Sequence, residues 1–79
     1  MTGYDNAIRH ALRTLKNPTA IPVDVSQMPS GEIRLLVDRN SFLRLPKMRA
    51  LAFESYLQDL CNIIEYHGKV RCSVEMWGE

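Results

Sequence analysis

The chain has 79 residues, 46% of them hydrophobic and 24% charged, with a formal net charge of +1. That describes one globular domain, 1-79, too short for a second and with a stability margin on the order of 4–12 kcal/mol. No run approaches the roughly 18 apolar residues of a membrane span, and Met1 to Asp5 lacks the basic and apolar regions of a signal peptide, so the expected location is cytoplasmic.

Tyr4, Ile8, Ala11, Leu12 and Leu15 recur at helical spacing, which predicts a first helix from Tyr4 to Lys16 with Thr2 as N-cap and Asn17-Pro18 as its stop. Arg9, Arg13 and Lys16 share one flank of it, and Asp5 is placed to pair with Arg9 one turn on. Ile21-Pro22-Val23-Asp24-Val25 alternates, predicting a first strand with Ile21, Val23 and Val25 inward. Pro22 cannot donate to a ladder and marks the strand's start or an unpaired side. Pro29-Ser30-Gly31 closes a turn that begins at Ser26. Glu32 to Arg39 then predicts a second strand with Ile33, Leu35 and Val37 inward and Arg34, Leu36 and Asp38 outward, completing a hairpin.

Asn40 to Leu45 links the hairpin to the strongest pattern in the chain. Asn40 or Ser41 is expected to form a local turn, with Phe42 and Leu43 tucked beneath the next helix. Pro46 suits a first helical turn, where its missing N–H is not needed. From about Pro46 to His67, Phe53, Leu57, Leu60, Cys61 and Ile64 fall in one arc, with Ala50 inside it and Tyr56 and Ile63 at its margin. Gly68 is the expected left-handed residue that ends this helix of roughly six turns. A last strand follows over Lys69 to Trp77, with Val70, Cys72, Val74 and Met76 on one face and Arg71, Ser73, Glu75 and Trp77 on the other.

The order αββαβ predicts an α+β fold: a two-layer sandwich of a three-stranded, mostly antiparallel sheet with two helices on one face, like a ferredoxin-type fold lacking its first strand. A right-handed crossover through the long helix makes the last strand parallel to the second. Placing it beside the first strand gives the sheet order 2-1-3.

Catalytic signatures are absent. Cys61 and Cys72 sit on apolar faces and read as small buried hydrophobes in a reducing compartment. Together with the distant His10 and His67 they do not supply the close ligand pairs of a zinc site, so no metal is expected. Cys61 and His67 lie about 240° apart on one helix, and do not form a nucleophile and base. Glu54, Asp59 and Glu65 show no paired geometry, and the isolated glycines make no phosphate cradle. Neither an enzyme nor a cofactor is expected.

Charge and apolar surface point elsewhere. Met48, Leu51 and Ala52 face away from the main arc near the start of the long helix, where Arg44, Lys47 and Arg49 also gather. The helix dipole disfavours cations there. Apolar residues inside a basic rim compose a partner surface; the plainer explanation is that Met48 and Leu51 are covered and that the cations pair with Asp38 or Glu32. The sequence thus predicts a small non-catalytic protein-interaction module, a regulator or inhibitor docking on a larger protein or nucleoprotein. Inhibitors encoded by phages and mobile elements are of this size. Arg44, Lys47, Met48 and Leu51 would make the contact, with Arg9, Arg13 and Lys16 as an electrostatic rim. Leu36 and Trp77, on the open sheet face, would serve self-association as a homodimer. The alternative is a nucleic-acid-binding regulatory domain whose basic helix face tracks phosphates, although no ribonucleoprotein aromatic motif, GxxG loop or helix-turn-helix accompanies those cations.

Overall fold

The computed structural model describes residues 3–78, and the side chains of residues 6–78. In chain order the elements are α1 (Gly3–Thr14), β1 (Asp24–Gln27), β2 (Ile33–Asp38), α2 (Arg39–Leu43), α3 (Lys47–Gly68) and β3 (Cys72–Trp77). The alternation of β2 sets the layers: Ile33, Leu35 and Val37 are 1%, 0% and 0% exposed, while Arg34, Leu36 and Asp38 are half-buried on the opposite face. Against the buried face lie Phe53, Tyr56, Leu57, Leu60, Cys61 and Ile64 of α3, the arc and one margin residue that helical spacing marks out. Ala11 of α1 and Ile21 close the same core. An α+β sandwich of helices on one sheet face results, and its 15 Å thin axis fits one layer on another.

The sheet order is β1-β2-β3, not 2-1-3. β1 runs antiparallel to β2, and β3 is parallel to β2, so the sheet is mixed. The central place goes to the strand with the most apolar inward side. β1 is a four-residue edge that starts after Pro22, at Asp24 rather than Ile21, and could not bury both its flanks.

Local chemistry explains the remaining differences. Asn17 accepts from the Thr19 N–H and hydroxyl at 2.8 and 2.9 Å, donates to the Ile21 carbonyl at 2.7 Å, and so folds the chain back after α1. Leu12 is 43% exposed, because the helix buries Ala7 and Ala11 instead and Leu12 lies 100° round from Ala11. The expected Thr2 cap, and the side chains of Tyr4 and Asp5, lie outside the described residues. The link after β2 is the single helical turn α2, whose Ser41 hydroxyl donates to Asp38 Oδ2 at 2.7 Å. Phe42 tucks under α3 with its ring 6.3 Å from that of Phe53, but Leu43 turns outward. At the far end of α3, Gly68 stays helical and Lys69 takes the left-handed conformation, φ 54 and ψ 45.

Candidate interaction surface

Two short-range facts expose the junction of α2 and α3. Pro46 ends the link in an extended conformation, ψ 152, and gives α3 no side-chain cap. The first bond into the helix is from the Ala50 N–H to the Pro46 carbonyl, 2.9 Å, so the N–H groups of Lys47, Met48 and Arg49 have no acceptor within the helix. No acidic residue lies in this first turn. Arg39, Arg44, Lys47 and Arg49 are all exposed. Among the described residues the ion pairs are those of Arg34 with Glu75, 2.8 Å, and Glu32, 3.8 Å. The expected partners of the junction cations are thus engaged elsewhere: Asp38 accepts from Ser41, and Glu32 accepts from the Ser73 hydroxyl and forms an ion pair with Arg34.

Large apolar side chains stand among these cations. Leu43 is 69% exposed, Met48 77% and Leu51 52%. Met48 and Leu51, at i and i+3, are neighbours on one helix face, and Leu43 ends the preceding turn. The sequence pattern misses Leu43, because an apolar residue in a short link reads as core. The signal that could have found it is its neighbour: Phe42 fills the space under α3, and the next residue of a helical turn points about 100° away.

The cations of α1 form a separate feature. His10 packs its ring 4.7 Å from that of His67, and a hollow of about 400 Å³ there is lined by Asn6, Ala7, His10 and His67. Met48 and His67 are nineteen residues apart on α3, about 28 Å at 1.5 Å per residue. Arg9, next to His10, therefore stands at the far end of α3 from Met48; Arg13 and Lys16 follow it, all three exposed.

On the open sheet face, Leu36 lies between Asp24 and Glu75, and Trp77 lies opposite Asp38. Leu36 and Trp77 are thus diagonal rather than facing neighbours. Leu36 is half-buried, and Trp77 is 49% exposed. Across this face Arg34 donates to Glu75 and Ser73 donates to Glu32, and an ion pair of Arg34 with Glu32 joins the two hydrogen bonds.

Both cysteines are free thiols. Cys61 of α3 and Cys72 of β3 meet under the sheet edge. Accepting a hydrogen bond from Cys72 holds the Cys61 thiol below its ordinary range, against burial and the charge of Glu65. Donating that bond, together with burial, pushes Cys72 far up. Burial alone raises Tyr56. Among the described residues no polar or charged residue is buried, no group of three or more metal-ligating side chains is assembled, and no helix is long and apolar enough to cross a membrane. No protein family, curated protein or solved structure matches this chain.

Proposed function

We propose that this chain is a small non-catalytic interaction module, a regulator or inhibitor that docks the α2–α3 junction on an acidic surface of a larger protein or nucleoprotein. One observation carries it: Leu43, Met48 and Leu51 are exposed together among cations that form no ion pair among the described residues, at an uncapped helix start. Each component has a physical use. Met and Arg are enriched in interface cores, where a flexible thioether and a planar guanidinium fit irregular surfaces. The N–H groups of the first turn can donate to a carboxylate, favoured by the positive end of the dipole, that the helix itself does not provide. Leaving these apolar side chains in water costs stability that a partner would return. Arg44, Lys47, Met48 and Leu51 make the contact, joined by Leu43. Two reduced cysteines fit a cytoplasmic setting.

A photo-reactive residue at position 48 tests this in cells that make the chain. We expect a protein adduct from position 48, none from Asn62, which is exposed on the same side of α3 but about 21 Å farther along it, and loss of the adduct with Leu51→Glu in a chain that keeps its helical circular dichroism. Equal adducts from both positions, or indifference to Leu51→Glu, would refute it. An adduct to nucleic acid that weakens steeply with salt would favour the nucleic-acid-binding alternative instead.

A further inference from the structure

β3 is an edge strand that the helices cover incompletely. It ends the sheet, and its inward residues Cys72, Val74 and Met76 are only half-buried, whereas those of β2 are sealed. A groove of about 330 Å³ runs between it and α3, lined by Glu54, Leu57, Gln58, Val74 and Met76. The backbone bonds fix which groups face outward. The Arg71 carbonyl accepts from the Ile33 N–H of β2 at 2.8 Å, and the Cys72 N–H points away from β2 to the Glu65 carboxylate at 3.0 Å. Because residues alternate along a strand, Cys72, Val74 and Met76 turn both their N–H and C=O to the free edge.

We propose that β3 pairs antiparallel with β3 of a second copy of this chain, about a two-fold axis through Ser73. Side-chain complementarity selects this register. It sets Arg71 opposite Glu75 of the second copy, and Glu75 opposite its Arg71, on the open face where opposite charges across strands attract. Arg34 engages only Oε1 of Glu75, which leaves Oε2 for the new partner. On the inner face Cys72 meets Val74 twice, extending the apolar strip beside the groove. Moving the axis to Glu75 would instead oppose two like charges, and moving it to Val74 would set Arg71 against Trp77 and leave Glu75 without a cation. The backbone agrees: Cys72 and Val74, whose polar groups face outward, become the hydrogen-bonded pairs, and Ser73 becomes the close, non-hydrogen-bonded pair on the axis.

Glu65 guards this edge. Its carboxylate occupies the Cys72 N–H, the device by which an edge strand is kept from pairing indiscriminately. In the dimer the Val74 carbonyl of the second copy takes that N–H, and Glu65 returns to solvent. The inference is independent of the docking surface at α2–α3.

Sedimentation equilibrium over a range of micromolar concentrations tests it. The wild-type chain should dimerise, Arg71→Glu should weaken the dimer on the order of tenfold or more through two like-charge contacts, and Glu65→Ala should tighten it. Adding Glu75→Arg to Arg71→Glu restores opposite charges at both contacts and should recover the dimer. Ser73→Cys, in a background with Cys61 and Cys72 replaced by alanine, should give an oxidised dimer linked 73 to 73, since the close pair brings Cα atoms to about 4.5 Å. A wild-type chain that stays monomeric throughout, or a dimer indifferent to Arg71→Glu with no 73 to 73 link, overturns the proposal.

Discussion

Replacing Lys69 with glycine should stabilise this fold, and replacing it with alanine should not. Lys69 ends α3 at φ 54 and ψ 45, and its N–H closes on the Glu65 carbonyl at 3.0 Å. Any side chain with a Cβ meets the following carbonyl there, at a cost of roughly 1–2 kcal/mol. Glycine removes that strain but gains about 0.5–1 kcal/mol of freedom in the unfolded chain. Losing the cation at the helix C-terminus costs a few tenths of a kcal/mol more. Alanine suffers the charge loss and keeps the strain. The glycine variant should therefore exceed the alanine variant by about 1 kcal/mol, a melting difference of roughly 4–8 °C for a domain this small. Thermal melts followed by circular dichroism at low micromolar concentration measure it. A glycine variant no more stable than the alanine one would mean that the left-handed residue is not at 69, as the Gly68 expectation from sequence holds.

Three further perturbations probe the interior. Phe53 is 0% exposed and sits 6.1 and 6.3 Å from the rings of Tyr56 and Phe42. Phe53→Ala should cost about 3–5 kcal/mol, a large share of the margin, and a urea midpoint near that of the wild type would contradict the core assignment. Burial raises Tyr56 above its ordinary 10.0, so the unfolded chain loses its phenolic proton first; the stability Tyr56 contributes is whole below pH 10.0 and fades as pH rises through the folded value. Urea midpoints should fall more between pH 9 and pH 11 for the wild type than for Tyr56→Phe, and equal losses would refute this. Cys61 is 6% exposed and Cys72 has its pKa pushed up, so an aromatic disulfide reagent should react far more slowly with the native than with the unfolded chain. A rapid stoichiometric reaction of either thiol in the folded protein would exclude the arrangement.

Periodicity carried the burial of this molecule because its two long patterns are unambiguous. The arc of Phe53, Leu57, Leu60, Cys61 and Ile64 and the alternation of Ile33, Leu35 and Val37 each match a single period, and both face the core as read. Pairing was less legible. Which strand neighbours β3 depends on how much apolar surface each strand offers on both flanks, a comparison between segments that no single window contains. The misplaced residues have local causes of the same kind. Lys69 instead of Gly68 ends α3 because the helix runs one residue longer than the glycine suggests. Leu43 is exposed because Phe42, not Leu43, takes the space beneath α3. At the candidate surface, the exposure of Met48 and Leu51 follows from the arc itself, since residues opposite a filled stripe have only the neighbouring elements to cover them. Whether α1 would do so was open to sequence, and the ring contact of His10 with His67 places α1 toward the other end of α3.

The two proposed surfaces have a geometric consequence when taken together. Trp77 pairs with Asp38, and α2 begins at the next residue, so the α2–α3 junction lies at the Trp77 end of the sheet. Ser73 is four residues from Trp77, about 13 Å along a strand. An antiparallel dimer centred on Ser73 therefore carries its two junctions outward at opposite ends, at least about 26 Å apart, leaving both free to dock. A partner that repeats its acidic site at such a spacing would bind the dimer with avidity, the second contact becoming intramolecular. Arg71→Glu, remote from the junction, should then weaken binding to such a repeated partner while leaving binding to an isolated copy of the same site unchanged. Titrations against the repeated and the single site separate the two cases: equal weakening of both would show that Arg71 touches the partner directly, and that the edge of β3 belongs to the docking surface rather than to a second copy of the chain.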